Sequence, residues 1–142
     1  MTKIIHKHSS GGVLCKDGKV LVIHWDAPRN SFDFPKGTIE AGETSHEACV
    51  REVLEETGYE TKIIAPLGQT HYEYDWTDGT HHKKTVDYYL LGFAHDIPVD
   101  PKREPHETFE NAWLTFDKAA QQLTFDVDRD ILQKALKQNL AF

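Results

Sequence analysis

The stretch from Phe34 to Tyr59, FPKGTIEAGETSHEACVREVLEETGY, constrains this chain more than any other. It sets a Gly-containing loop in front of a short helix with an acidic face. Thr44 is a good helix N-cap, and Glu47 three residues later completes a capping box. Gly58 is a good C-terminal stop. At about 100° per residue, Cys49, Val50, Val53 and Leu54 fall on one side of that helix. Glu52, Glu55 and Glu56 fall on the other, at i, i+3 and i+4, with Ala48 among them. The apolar side is expected to face a core and the acidic side a cleft.

The acidic face makes little sense as structure alone. Like charges at these spacings cost about 0.2–0.5 kcal/mol per pair. The one local cation, Arg51, lies at the edge. A divalent cation would turn repulsion into ligation. Mg²⁺ takes carboxylate oxygens and shares its other positions with water and substrate phosphate.

Gly37, five residues, Glu43, seven residues, then Arg51-Glu52-Val53-Leu54-Glu55-Glu56-Thr57-Gly58 resembles the Nudix box. One position departs: Tyr59 stands where that family prefers an aliphatic residue. The resemblance implies a Nudix-type α/β/α sandwich with a mixed central sheet, one domain over residues 1–142. It implies hydrolysis of a pyrophosphate bond in a nucleoside diphosphate derivative, with Mg²⁺ or Mn²⁺ as cofactor. Glu52, Glu55 and Glu56 would hold the metal, helped by a carbonyl near Gly37. Glu43 and Arg51 would form a buttressing ion pair. Glu55 or Glu107 would orient or deprotonate the attacking water, with Glu104 and Glu110 as alternatives to Glu107.

Finer features resemble the dinucleoside polyphosphate hydrolases of the Ap4A type: Pro35-Lys36-Gly37, the Thr85-Val86-x-Tyr88-Tyr89 strand, and the spacing from His106-Glu107 to Trp113. On that reading Lys36, Lys83 and Lys84 meet successive phosphates. Tyr74 or Tyr89 stacks the base, an interaction of ~1–3 kcal/mol. The alternatives are an (oxidised) nucleoside triphosphate, a 5′-RNA end, or a non-catalytic nucleotide-sensing module. The intact Glu set argues against the sensor.

A chain of 142 residues is a typical single-domain length. Its net charge of −7, with 16 Lys and Arg, disfavours nucleic-acid partners. Cys15 and Cys49 read as free thiols in a strand and on the core side of a helix. There is no leader pattern and no apolar run near the ~20 residues of a membrane span, so a cytoplasmic monomer or homodimer is expected. There is no G-x-x-x-x-G-K-[ST] loop, G-x-G-x-x-G, zinc helix or nucleophile motif.

The remaining elements follow from local signals. Lys3–His8 reads as a strand or arm that Gly11-Gly12 either breaks or opens to another backbone. Val13–Cys15 and Val20–Ile23 form a hairpin across Asp17-Gly18. Phe32–Phe34 is a brief strand, and Thr61–Ile64 another. Gln69–Asp75 and Thr85–Ala94 form a long hairpin whose polar tip carries His82-Lys83-Lys84. Alternation puts Tyr72, Tyr74 and Trp76 on one face, and Tyr88 opposite Tyr89. Residues 96–107 are loop, and Ala112–Phe116 is a strand. Asp117 caps a short helix to Gln121, and Asp126 or Asp128 caps a last helix through Asn139.

Overall fold

The computed structural model describes residues 2–138; Asn139 lies outside the described residues. Among the described residues, seven strands and three helices follow one another: β1 Ile4–Lys16, β2 Lys19–Trp25, β3 Phe32–Asp33, β4 Lys36–Thr38, α1 Ser45–Thr57, β5 Thr61–Asp75, β6 His81–Phe93, β7 Phe109–Thr115, α2 Phe116–Gln122 and α3 Asp126–Gln138.

The sheet is mixed, in the order β3-β2-β1-β6-β5, with β4 on β1 and β7 on β2. β1 runs parallel to β6 from Ile4↔His81 to Leu14↔Leu91, then turns at Asp17-Gly18 into antiparallel β2. Gly18 takes φ +76°, which a residue with no Cβ adopts freely.

Consecutive apolar residues in the central strands pack on opposite faces. Leu14, Leu21, Tyr89 and Leu91 meet Cys49 and Val53 of α1. Val13, Val20, Tyr88 and Leu90 meet Leu123 and the Ile131, Leu132 and Ala135 stripe of α3. A sheet covered on both faces needs near-continuous apolar strands, which is what these segments supply. The result is the expected α/β/α sandwich.

Several elements differ from their local signals in extent or capping. β1 passes straight through Gly11-Gly12. A Cβ on Gly11 would lie 2.4 Å from the Pro35 carbonyl oxygen, and one on Gly12 2.3 Å from Leu91 Cδ1. The glycines therefore admit close neighbours instead of breaking the strand. The tip of the second hairpin is shorter than its polarity indicates. β6 starts at His81 because β5 pairs it there, with Tyr74 stacked on His82 at 4.8 Å and His81 bonded to Glu73 and Asp75. Lys83 and Lys84 thus belong to a strand, not a tip. Finally, Thr115, not Asp117, caps α2: its hydroxyl accepts from the Lys118 N–H at 3.2 Å.

Candidate active site

Helix α1 is built as its sequence requires. The Thr44 hydroxyl accepts from the Glu47 N–H at 3.1 Å, and the Glu47 carboxylate accepts from the Thr44 N–H at 3.0 Å. Gly58 closes the helix at φ +83°. The buried side is rotated slightly from the simple wheel: Ala48, Cys49, Val53 and Glu56 are buried, while Val50 and Leu54 are only half-buried. Within that side, Glu56 Oε1 accepts the Lys36 N–H at 2.8 Å. That bond draws the carboxylate under β4, where it is 6% exposed. Burial pushes its carboxyl up to about 8.

Arg51 is more than an edge cation. Its Nε and Nη2 donate to Glu43 at 2.6 and 2.9 Å, and Nη1 donates to Glu52 at 2.8 Å and Glu55 at 3.3 Å. The acidic face is therefore partly compensated within the chain, contrary to the sequence expectation. Glu52 is raised by burial and pulled back down by Arg51. Gly37 faces it closely: a Cβ there would sit 2.0 Å from the Glu52 carboxyl carbon.

Glu52, Glu55, Glu56, Gly37 and Lys36 line one cleft of about 330 Å³, together with Glu104 and Glu107 from the loop before β7. Glu110 does not line it; it sits in β7 opposite His24. The donor set fits a hard divalent cation: all oxygen, with one carboxylate buried and given no cationic side chain among its hydrogen-bond partners. As arranged, no three acidic, His or Cys side chains among the described residues gather at one point. Arg51 engages Glu52 and Glu55 through hydrogen bonds. Ligation would exchange those hydrogen bonds for the ion.

Lys36 also lines a second, larger chamber of about 560 Å³. Tyr72, Tyr74, Tyr88, Lys84, Asp33 and Asp128 are among the residues that line it. Burial opposes the Lys36 charge, but the Asp33 and Asp128 carboxylates more than offset it and hold the ammonium charged. Lys84 is brought down to about 8, first by burial and then by Lys36. Lys36, Tyr74 and Lys84 thus share one space. Lys83 and Tyr89 do not. Lys83 is exposed on the opposite face beside His6 and His71. Tyr89 packs its ring against His46, and its hydroxyl donates to Ser45 at 2.9 Å. One residue along a strand reverses the face, so Lys83-Lys84 and Tyr88-Tyr89 each split.

Sequence reading missed Arg103. It donates to the Glu56 and Phe109 carbonyls at 2.9 and 2.6 Å and to Asn111 Oδ1 at 3.0 Å. With the Lys102 N–H on the Glu55 carbonyl at 2.8 Å, it straps the loop carrying Glu107 to the end of α1. Asp33 and Asp128 were missed as well. Nothing in their local sequence marks them, since 95 positions separate two residues that line one chamber.

A carboxylate helix buttressed by arginine thus lies on an α/β/α sandwich beside an aromatic chamber. The chain belongs to the Nudix family: the NUDIX domain matches residues 6–135. It is 31% identical over 142 residues to the protein designated mutator protein MutT4 of Mycobacterium tuberculosis, covering 94% of this chain and 56% of that one. It is 32% identical over 120 residues to the 8-oxo-(d)GTP phosphatase of Mycolicibacterium smegmatis, covering 84% of this chain and 34% of that one. The chain thus spans about half or less of these relatives. A C. elegans Ap4A hydrolase has the same fold, with a TM-score of 0.74 at 21% identity over 96% of this chain and 99% of that one. Among the described residues, no helix is long and apolar enough to cross a membrane.

Proposed function

We propose that this chain hydrolyses a pyrophosphate bond in a nucleoside diphosphate derivative, using Mg²⁺ or Mn²⁺ held by Glu52, Glu55 and Glu56 with the Gly37 backbone. The observation that carries this reading is that the acidic cleft and the aromatic chamber meet at Lys36, which lines both. A phosphate chain in the cleft hands its nucleoside to the chamber. When bound, the ion neutralises phosphate charge and makes water more acidic. Glu55, 41% exposed and held by Arg51 only at 3.3 Å, is free to orient or deprotonate that water; Glu107 across the cleft is the alternative base. Glu43 and Arg51 keep Glu52 in place, and Lys36 offers its ammonium to a phosphate oxygen.

Within this class a nucleoside triphosphate, oxidised or not, is better supported than the dinucleoside polyphosphate Ap4A. Ap4A carries two nucleosides on a long phosphate line. Lys83 and Tyr89, the residues that would extend such a line, lie on the other face of the sheet. One chamber of about 560 Å³ suits one nucleoside. The name of the M. smegmatis relative agrees with a triphosphate. Ap4A is the second reading, favoured by Lys36 and Lys84 sharing that chamber. The test is a panel of nucleoside triphosphates, Ap4A, ADP-ribose and capped or triphosphorylated RNA with Mg²⁺, the products resolved by chromatography. Turnover of triphosphates above Ap4A supports the first reading and the reverse order the second. No turnover of any member in the folded protein overturns both and leaves the sensor.

A further inference from the structure

We propose that a basic groove on the α1 side of the sheet, away from the chamber, binds a short inorganic polyphosphate, a chain of linked phosphates that carries no nucleoside. This site is separate from the acidic cleft and does not rest on the hydrolase reading. Strands β1, β6 and β5 run on past the first turn of α1, where the Ser45 hydroxyl donates to Asp87 at 2.7 Å. Beyond that contact the register sets Thr85 between His8 and His71, and in the next row it sets His6 beside Lys83. These side chains, with Lys7, line a groove of about 350 Å³. Among the described residues no acidic side chain lines it, although the chain carries a net charge of −7. The carboxylates in adjoining positions are engaged elsewhere. Asp87 accepts from Gln69 at 2.7 Å and pairs with His8 Nε2 at 2.9 Å, which leaves His8 its Nδ1. Glu73, opposite Lys83, pairs with His81 at 2.6 Å, and Asp75 pairs with the same ring at 2.8 Å. Lys83 and His6 stay exposed.

A groove rich in donors and free of carboxylates calls for an anion. An ammonium has N–H donors and no acceptor, and each imidazole has an N–H to give. Charge-assisted hydrogen bonds to phosphate are about twice as strong as neutral ones. A metal ion is the other ligand that imidazoles attract, and the register opposes it. With Thr85 between them, His8 and His71 stand two strand spacings apart, about 10 Å, too far for one ion. Among the described residues no three acidic, His or Cys side chains gather at such a point. A single phosphate would meet one edge of the groove. Linked phosphates can cross from His6 on β1 over Lys83 on β6 to His71 on β5. The spacing of these donors is fixed, because all three stand on paired strands, and His71 Nδ1 is also bonded to the Thr85 hydroxyl at 3.1 Å. Among the described residues no Phe, Tyr or Trp lines the groove, so nothing there would stack a base. The occupant is therefore the phosphate chain alone.

The experiment is calorimetric titration of the full chain with tripolyphosphate, phosphate and ATP in excess chelator, with the histidine ring signals followed by NMR. Tripolyphosphate should bind at least about tenfold more tightly than phosphate, because one further charge-assisted contact carries about that factor. ATP should bind no more tightly than tripolyphosphate. The rings of His6, His8 and His71 should shift during the titration, and those of His24 and His95 should stay. Lys83→Gln, at an exposed position, should leave the melting temperature without ligand unchanged and weaken tripolyphosphate at least about tenfold. Absence of binding, affinity equal to that of phosphate, or unchanged affinity in Lys83→Gln overturns the proposal. Shifts confined to His106, which lines the acidic cleft, also overturn it, since they place the anion there. ATP binding more tightly than tripolyphosphate overturns the choice of a chain without a base. Should the variant fail to fold, the wild-type shifts and the three affinities still decide. Turnover is not measured, so each outcome leaves the hydrolase reading to its own test.

Discussion

Arg51 holds Glu43 with two nitrogens, Nε at 2.6 Å and Nη2 at 2.9 Å, and uses its third to reach Glu52 at 2.8 Å. The guanidinium thus connects a loop carboxylate to a candidate metal ligand. A bidentate fork of this kind gives orientation as well as attraction.

The first prediction concerns that pair. Glu43→Gln and Arg51→Ala should each lower kcat by ~10–100-fold, as loss of an outer-shell partner does. The double variant should lose less than the product of the two losses. Strict additivity in kinetics and melting temperature would separate the residues. Arg51 also holds the Glu43 carboxyl down at about 2, below its ordinary 4.5. Its contribution to stability is therefore full above 4.5 and is lost as pH falls through 2. Glu43→Gln should remove that part of the acid transition.

Glu56 carries the opposite sign. Burial raises its carboxyl from 4.5 to about 8. In chelator, its contribution to stability is full below 4.5 and is lost as pH rises through 8. Mg²⁺ needs the ionised carboxylate, so the rise in melting temperature on adding the ion should be larger at pH 8.5 than at pH 6. Glu56→Gln should abolish this pH dependence and reduce kcat by more than about 100-fold while the fold persists. An identical metal response in the variant would remove Glu56 from the ligand set.

Val53 lies one turn before Glu56 on the buried side of the same helix, 0% exposed among Leu14, Leu21 and Leu91. Val53→Asp buries an unpaired charge and should cost at least about 3 kcal/mol, so that far-ultraviolet dichroism shows unfolding where Glu56→Gln does not.

Removal of Arg103 leaves the Glu56 and Phe109 carbonyls and Asn111 Oδ1 short of a donor. Arg103→Ala should destabilise by about 1–3 kcal/mol and lower kcat by roughly tenfold or more, because the loop bearing Glu107 is no longer tied to α1. Arg103→Lys should not restore the rate, since one ammonium cannot span three acceptors in a plane. Full activity in the lysine variant would assign Arg103 to charge alone.

Lys84 titrates near 8, depressed by burial and by Lys36 and Lys7. The chamber loses this cation as pH rises through 8, so KM for a polyphosphate substrate should rise above that pH. Lys84→Met should have a raised KM below pH 8 and a flatter profile. A KM of the wild type that is constant from pH 7 to 9 would show that Lys84 does not meet the substrate.

Helix α1 was legible to the residue because its signals are local. The Thr44 and Glu47 capping box and Gly58 lie within one helix length, and the carboxylate spacing follows from the helical period. The hairpin at Asp17-Gly18 is legible for the same reason. The split of Lys83 from Lys84 was not, because it depends on where β6 starts, and β5 decides that through Tyr74↔His82 and Glu73↔Lys83. A polar run by itself reads as a tip.

The sequence by itself determined the acidic helix, its caps, the family's motif and the oxygen-donor chemistry at the cleft, since each is set by neighbours within a few residues. Only the tertiary structure decided which cations face which cavity, that Arg51 already engages Glu52 and Glu55, and that Asp33, Lys36 and Asp128 line one chamber. These depend on strand register, on the parallel pairing of β1 with β6, and on α3 closing over the sheet. Such contacts join residues many tens of positions apart, and only the packed core holds them together.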